Sequence, residues 1–178
     1  QMIEECDREI EKQLVEQIAS GNEGIIPDIP KVKRKVSRGK HKVPFNLTAH
    51  LREILGVDVT EVVGISEISA LTIMSEVGTD MSKWKTEHHF TSWLGLAPNT
   101  KVSGGKTISS RIMKKKHHAG QAFRMAANSL YNSKSPLGDH YRRIRAKAGA
   151  AKAVVATARK LAIIYYKMVA NKEAFNPK

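Results

Sequence analysis

Ala150–Ala170 reads AAKAVVATARKLAIIYYKMVA. Within it Val154, Val155, Ala158, Leu161, Ala162, Tyr165 and Met168 recur at three- and four-residue steps, which aligns apolar side chains on one face of an α-helix. The stretch therefore predicts a long helix with one face on a core. Upstream, Ser135-Pro136 offers an N-cap and a first-turn proline to a helix bearing Leu137, Tyr141 and Ile144. Ala119, Ala122, Phe123, Ala126, Ala127, Leu130 and Tyr131 trace a further helical stripe. Thr86 can cap a helix carrying Phe90, Trp93 and Leu94, which Gly95 and Pro98 end. Trp84, Trp93 and Tyr131 read as core anchors, and the pattern as a whole reads as mainly α.

Thr48 can cap a short helix running through Leu55. Asp58 with Glu61 forms a capping-box pattern for a short turn over Val59 to Val63, and Ile68, Leu71, Met74 and Val77 mark a helix that stops at Gly78. Two short helices joined across Gly64-Ile65-Ser66 give a helix-hairpin-helix-like element, with Ser66 where that module usually carries a second glycine. At the start of the chain Ile3, Cys6, Ile10, Leu14 and Ile18 form an apolar stripe among acids and amides, a coiled-coil-like connector helix ending near Ser20-Gly21-Asn22. On this spacing Cys6 reads as a core or seam residue. Residues 23–47 carry Pro27, Pro30 and Pro44 and no hydrophobic period, which marks a basic linker. The expected organisation is a connector over residues 1–22, a linker over 23–47 and a helical domain over 48–178.

Hydrophobic residues make up 41% of the 178, ordinary for a folded protein. No apolar run approaches the roughly 20 residues of a membrane span, and the opening QMIEECDREIEKQL is too polar for a signal peptide. One cysteine excludes an internal disulfide framework and fits a reducing compartment, here the bacterial cytoplasm and its nucleoid. The chain begins with Gln1 and is expected to be a piece of a longer protein.

Charge is distributed unevenly. From Gln1 to Asp28 eight acids face Arg8 and Lys12, whereas from His88 to Lys172 seventeen Lys and Arg face Asp139 alone. A formal net charge of +13 concentrated in this way points to a polyanion, because lysine and arginine contacts to phosphates release condensed counterions. Candidate contacts are Lys31, Lys33, Arg34, Lys35, Arg38 and Lys40 on the linker, and Lys114, Lys115, Lys116 and Arg124 around the alanine-rich helix. Arg142, Arg143, Arg145 and Lys152, with Arg159 and Lys160, could line a groove, although a share of such residues simply face solvent.

Between the helices lies LGLAPNTKVSGGK, Leu94 to Lys106. Thr100 to Val102 and Lys106 to Ile108 are β-compatible, and the SGG between them predicts a hairpin turn. Ser103 sits beside two glycines that leave its hydroxyl unobstructed, and Lys101, Lys106 and Arg111 are near enough in sequence to stabilise charge on a phosphate. The plain alternative is an ordinary serine-glycine turn. Ser109 and Ser110 are the nearest competing hydroxyls. His88-His89 and His117-His118 are adjacent pairs without the spacing of a helical metal site, so no metal ligands are assigned in this chain.

The motifs Gly64-Ile65, Val77-Gly78, LGLAP (Leu94 to Pro98), SGGK (Ser103 to Lys106), RMAANSL (Arg124 to Leu130), SKSPLG (Ser133 to Gly138), YRRIRAKAGAAKAV (Tyr141 to Val154) and ATARKLA (Ala156 to Ala162) stand in this order. Together they resemble the C-terminal transposase domain of the insertion-sequence one-ten family, which includes Piv-type DNA invertases and RNA-guided bridge recombinases. The resemblance spans roughly Val57 to Pro177. It implies a DNA transposase or recombinase in which Ser103 is the nucleophile and forms a covalent phosphoserine bond with DNA. It further implies a RuvC-like partner domain, absent from this sequence, whose acids bind Mg2+. A homo-oligomer, dimer or tetramer, and a guide (bridge) RNA belong to the same implication. Lys114 to His118 departs from the glycine-asparagine pair that many members carry there. The reading from a different class is a non-catalytic module that binds DNA or RNA through a basic helical surface.

Overall fold

The computed structural model describes residues 2–21, 43–113 and 115–176. The architecture is mainly α, and the chain divides into two units, Gln1–Asp58 and Val59–Lys178. In the first unit, α1 (Met2–Gly21) packs on α2 (Leu47–Leu55) through Leu14 and Ile18, both buried. The apolar stripe of α1 is covered only toward its C-terminal end: Ile3 is 65% exposed and Cys6 is exposed, so Cys6 is not a core residue. Asn46 rather than Thr48 caps α2, its side-chain oxygen accepting from the Ala49 amide at 3.2 Å, and Thr48 is buried inside the first turn. The short asparagine side chain one residue before Leu47 reaches that amide, so the helix starts earlier than the threonine predicts.

In the second unit Val59–Glu61 forms a 3-10 turn, not a helix reaching Val63. Gly64 follows at φ 101°, and Ser66 caps α3 (Glu67–Val77) by accepting from the Ser69 amide. The expected helix-hairpin-helix is thus one turn joined to one helix. After α4 (Glu87–Trp93), capped by Thr86 as the sequence predicts, come β1 (Lys101–Ser103) and β2 (Lys106–Ser109). Three helices complete the unit: α5 (His118–Ser129), α6 (Pro136–Ala148, capped by Ser135) and α7 (Ala150–Asn171).

α7 is the central element, packed by α4, α5 and α6, while α3 packs on α5. Its buried face comprises Ala153, Thr157, Ala158, Leu161, Ala162, Tyr165, Met168 and Val169, so Val154 and Val155 are half-buried at its edge. Phe90, Phe123 and Tyr165 meet at the centre, with ring centroids 5.7–6.5 Å apart, and all three are fully buried. Trp84 rests on Phe90 at 4.9 Å, and its carbonyl accepts from the Tyr166 hydroxyl at 2.8 Å. Tyr131 is 43% exposed and lies under the Arg145 guanidinium, which corrects its reading as a core anchor. Alanines on α5 let the helices approach closely. At Gly120 a methyl group would stand 2.6 Å from the Leu94 carbonyl, closer than any side chain tolerates.

The Tyr165 hydroxyl and the Thr157 hydroxyl are buried with no hydrogen-bond partner among the described residues. A buried hydroxyl without a partner costs about 1–3 kcal/mol of desolvation, and its removal leaves the packing intact. Tyr165→Phe and Thr157→Val are expected to leave stability unchanged or to raise it by up to about 1 kcal/mol, read as a higher midpoint in thermal unfolding. A loss of more than about 1 kcal/mol in either variant would mean that the hydroxyl has a partner.

Candidate active site

β1 and β2 form an antiparallel hairpin with Ser103 opposite Lys106, Val102 opposite Thr107 and Lys101 opposite Ser109. Gly104 and Gly105 make a two-residue turn at φ 54° and 74°. Positive φ at both positions is what a type I′ hairpin turn requires, and glycine adopts it without strain. Nothing lies within 4 Å of where a side chain would project from either glycine. Ser103 is therefore the last residue of β1 rather than part of the turn, and it ends the strand on an open tip.

Lys101–Ile108 is exposed throughout. Ser103 and Lys106 are directly opposed, so they share a face with Cβ atoms ~5 Å apart. Strand alternation puts Lys101 on that face two residues back, ~7 Å along β1. The hairpin thus brings Ser103, Lys106 and Lys101 together. Arg111 is not among them. It stands at the foot, its carbonyl accepting from the Asn99 amide at 3.1 Å, ~13 Å along the ribbon from the level of Ser103. A register irregularity after Lys101, with Ile108 as the extra residue on β2, separates the foot from the tip. Ser103 has no side-chain hydrogen bond among the described residues, whereas the competing Ser109 hydroxyl accepts from the Arg111 amide at 3.3 Å. Ser110 is exposed. Val102 and Ile108 are 60% and 69% exposed, an apolar pair on a ribbon that nothing in the unit covers.

The foot is held from several sides. Pro98 bridges Ile112, and the Met113 carbonyl and Lys115 side chain lie against Gly95. Glu76 on α3 reaches across to the start of α5, accepting from the Ala119 amide at 2.6 Å and bonding His117 Nδ1 at 3.0 Å. The His117 ring packs on Trp93 with centroids 4.1 Å apart. Arg124 donates to the Gly95 carbonyl at 2.8 Å, and burial lowers its pKa. Glu76 and His117 were missed as positioning residues. They lie 41 residues apart and no local pattern links them.

Of the other predicted phosphate contacts, Lys31, Lys33, Arg34, Lys35, Arg38, Lys40 and Lys114 lie outside the described residues. Arg142 donates to the Tyr131 and Ser133 carbonyls and pairs with Asp139, and Arg145 covers Tyr131. Arg143, Lys116 and Lys152 are exposed and Lys115 is half-buried. No group of three or more His, Cys, Asp or Glu that could hold a metal ion occurs among the described residues. No helix among them is long and apolar enough to cross a membrane.

Residues 58–142, from the boundary between the two units through the first two turns of α6, match the family described as Transposase IS116/IS110/IS902 family. The match supports a transposase domain of the IS110 family over this region. The matched region contains the hairpin, its foot and the Glu76 contact. Neither a curated protein nor a solved structure matches. A transposase domain implies DNA as its partner, which agrees with the excess of cations from His88 to Lys172.

Burial acts to raise the Glu76 pKa, but the Ala119 amide and His117 outweigh it and hold the carboxyl below its ordinary 4.5. The unfolded chain then binds the proton more tightly than the folded one. The contribution to stability is complete above about pH 4.5 and is lost as pH falls through the folded value. Glu76→Gln in the transposase domain is expected to cost about 1 kcal/mol at pH 7 through the weakened cap on α5. The gap between the two melting curves should narrow as pH falls below about 4.5 and through the lower folded value. A gap independent of pH would mean that the charge of Glu76 contributes nothing.

Proposed function

We propose that this chain is the nucleophile-bearing part of a DNA transposase or recombinase, and that Ser103 attacks a DNA phosphodiester to form a covalent phosphoserine intermediate. One observation carries the reading most directly: within the transposase-family region, an unpartnered serine ends a strand beside an unobstructed two-glycine turn, opposite Lys106.

The chemistry follows from that geometry. A nucleophile must reach phosphorus in line with the leaving oxygen, and a protruding tip with no side chain at the turn can approach a duplex backbone. The Ser103 Oγ–P bond forms as the P–O3′ bond breaks; the hydroxyl proton leaves to a base and the 3′ oxygen takes one up. Negative charge grows on the non-bridging oxygens, where the ammonium groups of Lys106 and Lys101 can stabilise it. Arg111, held at the foot, acts on the flanking backbone instead. The phosphoserine keeps the energy of the broken linkage, so attack by another 3′ hydroxyl reseals the strand without ATP.

Mg2+ would supply electrostatic activation of the phosphodiester. The described residues do not fit such an ion, so in this proposal it is bound by a separate acidic domain of the RuvC-like kind. The composite site then implies a homo-oligomer. Lys115, Lys116, Arg143 and Lys152, and the linker cations, contact the DNA backbone or a guide RNA.

In the enzyme with its metal-binding domain and Mg2+ present, Ser103→Ala is expected to lower the covalent protein–DNA adduct on a denaturing gel by at least ~10³-fold. Non-covalent affinity for duplex DNA should stay within about twofold, and Ser109→Ala and Ser110→Ala should keep the adduct. An adduct that survives Ser103→Ala leaves only the basic docking module. DNA affinity of the chain itself should fall by about 10²-fold between 50 and 200 mM salt if about four phosphates are engaged.

A further inference from the structure

A second concave site lies in the same unit, between α6, α7 and the segment that leads into the hairpin. It is an open groove of about 390 Å3. Its floor is aliphatic: Leu96 and Pro98 from the entry to β1, Ile144 from α6, and Val155 and Ile163 from α7. Its rim is cationic, with Lys152 about two turns along α7 from the adjacent pair Arg159 and Lys160. None of these three has an ion-pair partner among the described residues. His140 lines the groove as well, and its Nδ1 is buried without a hydrogen-bond partner. Burial, with Lys160 and Arg143 nearby, lowers its pKa, so the ring is neutral at pH 7 and has one hydrogen bond to give and one to accept.

An apolar floor edged on one side by unpaired cations suits a ligand with one flat, weakly polar face and one anionic group. A nucleotide has both. The volume is in the small-molecule range and matches one nucleotide rather than a stacked run. A base paired and stacked in a duplex cannot offer its face to such a floor, so the ligand must be unstacked. The groove also lies close to the hairpin. Pro98 is part of its lining and bridges Ile112 at the foot of the hairpin, five residues before Ser103 and at most ~17 Å from it.

We propose that this groove receives a single unstacked nucleotide of the DNA being recombined, its base on the aliphatic floor and its phosphate on Lys152, Arg159 and Lys160. This rests on the DNA-recombinase reading above, and it adds a site for a displaced base within about five nucleotide steps of the attacked phosphate. The site discriminates weakly among bases, because apolar contact and a phosphate grip are common to all four.

The test compares two DNA probes of about 30 base pairs, one fully paired and one carrying a single unpaired 2-aminopurine. The whole chain is expected to bind the bulged probe about tenfold tighter, the scale of burying one base face against apolar side chains. The 2-aminopurine should become protected from acrylamide quenching on binding. Ala156→Trp, which fills the groove from α7, and independently Ile144→Trp, which fills it from α6, should each abolish the preference while paired-DNA affinity stays within about twofold. Circular dichroism establishes that each variant is folded. Equal affinity of the unaltered chain for both probes overturns the groove proposal alone. A preference that persists in both folded variants overturns it too, since the base then docks elsewhere. Binding to neither probe overturns the DNA reading itself, and the groove proposal with it.

Discussion

The Glu76 carboxylate against the first amides of α5 is the contact on which the shape of the site depends. An α-helix begins with amides that have no partner inside the helix, and α5 has no side-chain cap of its own because His117 holds the N-cap position without bonding an amide. Glu76 supplies the missing acceptor from 43 residues away, and in doing so ties α3 to α5. It also fixes His117, whose ring sits on Trp93, so the return leg of the hairpin is anchored at its last residue before the helix. The outgoing leg is anchored by Arg124 on the Gly95 carbonyl. Both legs therefore leave a rigid base, and the open tip inherits its direction from helices that never approach it.

A rigid base and an unsupported tip have different stabilities. The core of the second unit is closed by Phe90, Phe123 and Tyr165 and by the alanine face of α5, where even a methyl at Gly120 has no room. The ribbon has no such closure. A two-stranded hairpin alone in water is marginal, and Val102 and Ile108 contribute nothing while exposed. Its full order must come from whatever covers it, so the cost of arranging Ser103 and Lys106 falls at the moment of binding.

The helices were legible because their signals are local. The stripe on α7, Ser135-Pro136 before α6, Thr86 before α4 and the glycine pair at the hairpin tip each specify their element within a few residues. Errors arose where two local signals competed. Asn46 and Thr48 both suit an N-cap, and the asparagine prevailed; Asp58 and Glu61 suggest a helix that closes only as a 3-10 turn. The candidate site was legible in part. Ser103, Lys106 and Lys101 follow from strand alternation across a two-residue turn, whereas Arg111 was grouped with them because proximity in sequence takes no account of the extra residue on β2. Glu76, Arg124 and the groove lining depend on which helices pack together, and no short pattern carries that.

The cations divide on the same principle. Arginines with a carbonyl or ring within reach serve the fold: Arg124 bonds Gly95, Arg142 bonds Tyr131 and Ser133, and Arg145 covers Tyr131. Arg124 and Arg142 are partly desolvated, and a guanidinium suits that role because its planar fork satisfies several acceptors while staying charged. The residues without such partners, Lys101 and Lys106 on the hairpin and Lys152, Arg159 and Lys160 on α7, lie on the two sides of the Pro98–Ile112 bridge. Charge left uncompensated raises the energy of the folded chain through self-repulsion. With one acid among seventeen cations between His88 and Lys172, an external polyanion would relieve that repulsion. On the proposed reading, the same contacts would draw a DNA strand from the tip of the hairpin toward the groove.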